Sequence, residues 1–148
     1  MLNGTYEHTV DAKGRVFVPA KWRSDLGDTI YVTRSLVKDG DYRCLIGMSA
    51  TEWLKLMENI RKNPAKDAAS RESLRKFLAC AFDGEVDKQG RLLLPSSLRA
   101  MAKLDGEVCL LGQANRFELW NANEWAKRMG DDDDDIGASI EYAAELGI

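Results

Sequence analysis

Two arginines stand out as residues that could do chemistry, because each follows an aspartate and a glycine at the same spacing. Residues 11 to 23 read DAKGRVFVPAKWR, and residues 87 to 99 read DKQGRLLLPSSLR. Aspartate at the first position of such a turn accepts backbone N–H groups, and glycine at the fourth tolerates positive φ. Four residues are explained in this way as turn residues: Asp11, Gly14, Asp87 and Gly90. The arginines that follow, Arg15 and Arg91, need a separate explanation.

Two roles are open for these arginines. Each could pair with the aspartate of its own turn, which adds modestly to stability at a surface. Alternatively, the two copies could present a basic ridge to nucleic acid, because the planar guanidinium can bind guanine O6 and N7 together, whereas lysine contacts phosphate less directionally. Four further cations recur at or near both turns and are candidates for the same ridge: Lys13, Lys88, Arg23 and Arg99. Arg23 and Arg99, one helical turn beyond a proline, could equally brace the fold.

Enzyme chemistry is disfavoured by the residues present. The chain has one histidine, His8, and it lacks a Walker loop, a G-x-G-x-x-G segment after a strand and an H-E-x-x-H motif. Its three cysteines are scattered without a C-x-x-C pair, which predicts reduced thiols and neither a disulfide nor a zinc site. The run from Asp131 to Asp135 lacks the glycines and neutral oxygen ligands of a calcium loop. We therefore expect no catalysis, no cofactor, no metal and no small-molecule substrate.

The charge of the chain is divided unequally along its length. Of the 148 residues, 45% are hydrophobic, and the formal net charge is −3. Residues 131–148 hold seven acidic groups and no basic one, so residues 1–130 carry 21 basic against 17 acidic groups, or about +4. A mildly basic body suits an anionic partner. No stretch approaches the roughly 18 apolar residues of a membrane span, and the start lacks the pattern of a secretory signal, so we expect a cytoplasmic protein without a membrane partner.

The repeat extends well beyond the two turns and predicts the fold. In each half a short strand leads to the turn, a second strand ends at a proline, a short helix follows, and two more strands precede a closing helix. The other strands are expected at residues 5–10, about 29–34 and about 44–48, and again at 81–86, 107–112 and 116–120. Since each half has too few strands to bury both faces of a sheet, we expect a mainly β protein with helices (α+β) in which the halves combine into one closed or intertwined barrel.

The helices complete this organisation. The segments SATE (49–52) and NANE (121–124) have the spacing of a capping box, in which cap residue and glutamate bind each other's backbone N–H groups. Two apolar helical faces are expected to pack in the core, one formed by Trp53, Leu56, Met57 and Ile60 and the other by Leu74, Phe77, Leu78 and Ala81. The predicted units are a first repeat at 5–52, connecting helices at 53–80, a second repeat at 81–124, and a helix end with an acidic tail at 125–148.

Three stretches resemble the MraZ family of bacterial transcriptional regulators: GTYEHTVDAKGRVFVPAKWR, VDKQGRLLLPSSLR and LLGQANRFELWNANEW. The resemblance covers about residues 1–128 and leaves the acidic tail outside. It implies an AbrB/SpoVT-like swapped-hairpin, or double-split, β-barrel made of two repeats. It further implies a nucleoid-associated, ring-like homo-oligomer that binds short G-rich direct repeats in the promoter of its own division and cell-wall gene cluster.

The resemblance also assigns site residues. It carries DNA contact over to Arg15 and Arg91, with Lys13 as a neighbouring contact. The second turn has Lys-Gln where the first has Ala-Lys, so the sequence leaves open whether the two halves contact DNA equally.

A protein-interaction module is the rival function. The same type of barrel resembles toxin-neutralising antitoxins of the MazE kind, which need an apolar extension to hold their partner. The tail offers a small apolar element for this purpose, formed by Ile136, Ile140, Tyr142 and Leu146.

Overall fold

The computed structural model describes residues 1–36, 43–131 and 140–147, and of Asp131 only the backbone. The strands are β1 (Thr5–Thr9), β2 (Arg15–Phe17), β3 (Thr29–Arg34), β4 (Leu45–Ser49), β5 (Phe82–Glu85), β6 (Arg91–Leu93), β7 (Glu107–Gly112) and β8 (Phe117–Asn121). A 3-10 turn (Ala20–Trp22) runs into helix α1 (Arg23–Leu26). The other helices are α2 (Ala50–Lys62), α3 (Ala68–Ala79), α4 (Ser96–Met101), α5 (Ala122–Asp131) and α6 (Ile140–Leu146).

The two repeats exchange strands. The larger sheet has six antiparallel strands in the order β1-β7-β8-β4-β3-β5, and the smaller is the two-stranded ribbon β2-β6. The first strand of each repeat pairs inside the other repeat, with Tyr6 opposite Leu110 and Phe82 opposite Val32. Strands β1 to β4 of the first repeat correspond in order to β5 to β8 of the second. When each strand is exchanged for its counterpart, the sheet has the same strand order read from its opposite edge. A pseudo-twofold axis therefore relates the two halves. The predicted α+β class and the intertwining of the two repeats are confirmed.

The ribbon and the six-stranded sheet share one hydrophobic core. Val16 and Leu92 point inward from the ribbon and lie in the same buried cluster as Ile30, Leu45 and Leu119 of the sheet. This is the layered arrangement of a double-split barrel. Burial of apolar surface stabilises a fold by about 25 cal/mol per Å² removed from water. Burial of this shared cluster therefore stabilises the packing of the ribbon against the sheet.

Aromatic side chains extend the core at two places. Trp22 stacks on Phe117 with ring centroids 5.6 Å apart and meets Tyr6 edge-on at 5.1 Å. On the other side of the sheet, Trp53 stacks on Tyr31 at 5.0 Å and on Phe77 at 6.0 Å. Both geometries are among those that aromatic pairs prefer.

The connecting helices pack much of their predicted apolar faces into the core, while Ile60 and Leu74 are only partly buried. Trp53 and Phe77 are buried, and Leu56, Met57 and Ala81 pack against them, so most of both apolar faces lie in the core. The prediction for Leu78 was wrong, because its side chain is 39% exposed. Leu78 lies one residue, or about 100° of helix, away from Phe77. The face of α3 that is centred on Phe77 turns toward β3, where Thr33 Oγ1 donates to the Phe77 carbonyl at 2.6 Å.

The predicted helix caps are present, but only half of each capping box forms. Ser49 Oγ accepts the Glu52 N–H at 3.2 Å, and Asn121 Oδ1 accepts the Glu124 N–H at 3.0 Å. The reciprocal bonds from the glutamates were predicted wrongly. The carboxylate of Glu52 instead accepts Lys55 Nζ at 3.0 Å, and that of Glu124 pairs with Lys103 Nζ at 3.1 Å. The cap residues Ser49 and Asn121 are also the last residues of β4 and β8. Their backbones therefore take part in strand pairing, with Ile30 and Val108 respectively.

The C-terminal part of the chain adds little to the core. Helix α6 buries none of its side chains, and Ile140, Tyr142 and Leu146 are exposed. The tail residues Asp132–Asp135 and Ile136, together with the side chain of Asp131, lie outside the described residues. None of the helices described in residues 1–36, 43–131 and 140–147 combines the length and the apolar character required to cross a bilayer.

Candidate nucleic-acid interface

The first turn is built around the carboxylate of Asp11. Its Oδ1 accepts the backbone N–H groups of Lys13 and Arg15, both at 2.9 Å, and its Oδ2 accepts Arg15 Nε at 2.7 Å. Gly14 supplies the positive φ of 88° and donates its N–H to the Asp11 carbonyl at 2.9 Å. The bracing contact between aspartate and arginine is therefore present, and it occupies one nitrogen of the guanidinium.

The second turn repeats this geometry. Asp87 Oδ1 accepts the N–H groups of Gln89 at 2.9 Å and Arg91 at 2.8 Å, and Oδ2 accepts Arg91 Nε at 2.9 Å. Gly90 has a φ of 87° and donates to the Asp87 carbonyl at 3.0 Å. The two turns thus orient their arginines in the same way by the same contacts.

The ribbon sets the two turns side by side. The Val18 N–H donates to the Gly90 carbonyl and the Leu94 N–H to the Gly14 carbonyl, both at 2.9 Å. Along the ribbon, alternate side chains point away from the core, and we call this outward surface the ribbon face; its members are Arg15, Phe17, Arg91 and Leu93. Arg91 Nη1 lies 3.9 Å from Asp11 Oδ2, so the arginine of one turn also approaches the aspartate of the other.

The arginine side chains of the ribbon face are partly exposed. The side chains of Arg15 and Arg91 are 28% and 20% exposed. Within the part of the chain that the structure describes, no acceptor takes a hydrogen bond from a terminal nitrogen of either group. Each arginine is therefore held at Nε and keeps unused donors at its terminal nitrogens, one of which, Arg91 Nη1, lies near Asp11.

Arg23 and Arg99 each cover the turn of the opposite repeat. A methyl group at Gly14 would lie 2.7 Å from Arg99 Nε, and one at Gly90 would lie 2.7 Å from Arg23 Nη1. Arg99 Nε also donates to the Leu94 carbonyl at 3.1 Å. Glycine is thus favoured at both turns by positive φ, and any larger residue there would also displace an arginine side chain. Both arginines are half-buried, and their position over the turns is compatible with the bracing alternative.

The hydrogen bonds of the turns favour the charged form of both aspartates. The N–H of Arg15, its side chain and the N–H of Lys13 outweigh the opposing desolvation and lower the pKa of Asp11 from 3.8 to about 2. The pKa of Asp87 is lowered by the equivalent contacts, chiefly the Arg91 N–H. Since these carboxylates neutralise their own arginines, the exposed charges of the turns are those of Lys13 and Lys88.

The structure brings the predicted residues together around the two adjacent turns. Lys13 and Lys88 are exposed, and the four arginines are partly buried: Arg15, Arg23, Arg91 and Arg99. Sequence reasoning missed Phe17 and Leu93, which share the ribbon face with Arg15 and Arg91. The alternation within RVFV and RLLL was the available signal, because it places these apolar residues on the side opposite the buried Val16 and Leu92. Across residues 1–36, 43–131 and 140–147, no three His, Cys, Asp or Glu side chains are grouped to hold a metal ion.

Known proteins match the whole chain. The family model described as "MraZ protein, putative antitoxin-like" matches residues 1–76 and again residues 77–135. The proteins named Transcriptional regulator MraZ of Caldicellulosiruptor bescii and Acetivibrio thermocellus are 40% and 39% identical over 148 residues, the full length of each chain. That of Ligilactobacillus salivarius is 41% identical over 143 residues, or 95% of this chain and 96% of the relative. These matches overturn the expectation that the resemblance ends near residue 128.

One solved structure is a more distant match. The solution structure of PHS018 from Pyrococcus horikoshii is 15% identical, with a TM-score of 0.35, and the match covers 80% of this chain and 88% of that one. A likeness at this level carries no argument about the present fold.

Proposed function

The chain belongs to the MraZ family, and from that membership we propose that it is a DNA-binding transcriptional regulator whose two Asp-x-x-Gly-Arg turns contact DNA. Relatives that match over their full length are named transcriptional regulators, and none of those described above is named as an enzyme. The observation that carries the proposal is the pair of congruent turns on one ribbon, each with a partly exposed arginine that is anchored at Nε and donates no hydrogen bond from its terminal nitrogens within the described residues.

The ribbon face suits the major groove of DNA. A two-stranded antiparallel ribbon fits into that groove, and arginine can bind guanine O6 and N7 there with two parallel hydrogen bonds. Because Asp11 and Asp87 already hold the guanidinium groups in place, less side-chain entropy is lost when these bonds form. In this proposal Lys13 and Lys88 contact phosphates, and Arg23 and Arg99 keep the turns in position.

The target is proposed from the family resemblance. We assign to the chain short G-rich direct repeats in the promoter of a division and cell-wall gene cluster that includes its own gene. A ring-like homo-oligomer would place several ribbon faces on successive repeats, and linked sites bind far more tightly than one site alone. The proposed location is the cytoplasm, in association with the nucleoid.

Titration of DNA with arginine variants tests the proposal. The probe is a duplex carrying the G-rich repeats found upstream of the gene for this chain, and the proteins are wild type, Arg15→Ala, Arg91→Ala and, as a matched control, Arg71→Ala on the exposed surface of α3. Loss of a bidentate contact is expected to weaken binding by about 1–3 kcal/mol per site and to relax the preference for guanine, whereas Arg71→Ala binds as wild type does.

A change in the DNA separates base contact from turn stability, since Arg15 and Arg91 also brace the protein. Replacing guanine by 7-deazaguanine removes the N7 acceptor and leaves the protein intact, so wild type should lose affinity for this duplex. The assigned contacts would be contradicted by two results together. Wild type would bind both duplexes equally, and all four proteins would bind the natural duplex equally at several salt concentrations.

One observation favours a second function. Helix α6 exposes Ile140, Tyr142 and Leu146, the kind of apolar element that an antitoxin-type module would use to hold a partner protein. If this were the main role, the same titration would show only weak binding that does not distinguish G-rich repeats from unrelated DNA. Retention of repeat-specific binding after removal of residues 140–148 would assign DNA recognition to the body of the protein.

A further inference from the structure

We propose that Phe17 and Leu93 recognise the methyl groups of thymines that lie beside the guanines contacted by Arg15 and Arg91. The inference rests on the proposed DNA-binding function and adds a second kind of base recognition to the same surface. It concerns two residues that neither the turn motif nor the family resemblance assigns.

The two side chains are exposed at equivalent places in the repeats. Phe17 is 46% exposed and Leu93 is 53% exposed, although their strand neighbours Val16 and Leu92 are almost fully buried. A strand with one face in water usually carries polar residues on that face. Single exposed apolar residues are ordinary, but here both copies of the repeat place a large one at the same position of the ribbon.

The strand register places each apolar side chain beside an arginine of the other repeat. Phe17 is directly opposite Arg91, and Leu93 is directly opposite Arg15. Directly opposite residues have Cβ atoms about 4.5–5.5 Å apart. Base pairs are stacked about 3.4 Å apart, so an arginine on one base leaves its apolar partner within one or two base steps. The ribbon face is therefore made of two arginine–apolar pairs related by the pseudo-twofold axis.

The surroundings of these side chains favour DNA over a protein as the occupant. The outward surface of both turns carries exposed lysines, and the two aspartates are already engaged with Arg15 and Arg91. In the major groove the thymine C5-methyl is the apolar group available for such a contact, and phenylalanine is among the side chains that bind it. The His8 ring of β1 lies beside the Phe17 ring, with the two centroids 6.1 Å apart.

Removal of the methyl groups from the DNA tests the inference. In the probe duplex, every thymine of the repeats is replaced by deoxyuracil, which lacks only the C5-methyl group. Wild type is expected to bind this duplex about fourfold more weakly for each methyl contact that is lost, the factor given by burial of one methyl group. Phe17→Ala and Leu93→Ala should lose a similar factor on the thymine duplex and then discriminate less between the two duplexes. The control Leu54→Ala, at an exposed position of α2, should behave as wild type does.

The outcomes distinguish this inference from the function on which it rests. If wild type binds the duplex with no dependence on Arg15 and Arg91, the proposed function fails. If that dependence holds but wild type binds thymine and uracil duplexes equally, only the inference is overturned. The inference is likewise overturned if Phe17→Ala and Leu93→Ala keep full discrimination, since these residues would then serve another contact, such as a partner protein.

Discussion

At the residue scale, the arginines of the two turns brace their own turns, and this contact leaves donors free for the DNA contact that we propose. Arg15 Nε and Arg91 Nε bind the aspartates of their own turns, while their terminal nitrogens donate no hydrogen bond within the described residues. The spacing of the motif identified these arginines, but it did not show which of their nitrogens bind the aspartates, because spacing does not give the conformation of a side chain. The aspartate is thus both a turn residue and the group that orients the arginine, so its charge matters to the fold and to the proposed contact.

The lowered pKa of Asp11 predicts a loss of stability in acid. Its value in the folded chain is about 2, below the ordinary 3.8, so the folded state binds the proton less well than the unfolded state does. The stabilisation is therefore complete above about 3.8 and is lost as the pH falls through about 2. Asp11→Asn keeps an oxygen that accepts the backbone N–H groups but removes the charge, so its thermal midpoint should fall less steeply over this range.

Thermal unfolding at several pH values measures this effect. Asp11→Asn combined with Asp87→Asn should give the flattest profile, because the pKa of Asp87 is lowered in the same way. A control substitution, Asp83→Asn, changes an exposed residue of β5 whose carboxylate accepts no hydrogen bond within the described residues. If the thermal midpoints of wild type and the double variant fall equally steeply with pH, the turn carboxylates do not contribute to the acid dependence of stability.

At the element scale, the sequence predicted the strands well but not all of their contacts. The strands expected at 29–34 and 107–112 form there, and those expected at 5–10 and 81–86 form over Thr5–Thr9 and Phe82–Glu85. Alternation of apolar and polar residues shows which side chains face the core, but it does not show which strand lies alongside. Two contacts join residues that lie far apart in the chain: Tyr6 pairs with Leu110, and Arg99 approaches Gly14. A local sequence pattern does not predict such long-range contacts.

The cross-repeat contact at Gly14 predicts an unusually costly substitution. Gly14 and Gly106 have the same φ of 88°, but a methyl group would meet Arg99 at Gly14 and nothing within 4 Å at Gly106. Gly106→Ala should therefore cost about 1–2 kcal/mol of unfolding free energy, the penalty of a side chain at positive φ. Gly14→Ala should cost more, because the guanidinium of Arg99 must also move.

Urea unfolding of a double-mutant cycle separates the two contributions. Arg99→Ala should relieve part of the cost of Gly14→Ala and none of the cost of Gly106→Ala. Equal costs for the two glycine substitutions, or no coupling between Gly14 and Arg99, would show that the arginine moves aside freely and does not hold the turn.

At the scale of the whole molecule, one chain offers a small and slightly unequal recognition surface. The pseudo-twofold axis pairs Phe17 with Leu93, and it pairs a turn that reads Ala-Lys with one that reads Lys-Gln. Two arginines and their neighbours can contact only a few base pairs, and residues 1–130 carry a charge of only about +4. A single chain is thus expected to bind DNA weakly, so tight and selective binding has to come from several chains acting together.

The spacing of the DNA repeats should therefore control affinity more than any one contact does. An oligomer that engages several in-phase repeats is expected to bind them about 10²–10⁴ times more tightly than one repeat, because each further contact is intramolecular. Inserting about five base pairs between repeats turns the second one to the opposite side of the helix, which repeats about every 10–10.5 base pairs, and should remove most of that gain. Fluorescence anisotropy with one repeat, with in-phase repeats and with shifted repeats measures this, and mass photometry of the same samples gives the number of chains bound. An assembly that holds its ribbon faces at fixed distances should bind in-phase repeats more tightly than shifted repeats. Equal affinity for all three duplexes would therefore contradict such an assembly.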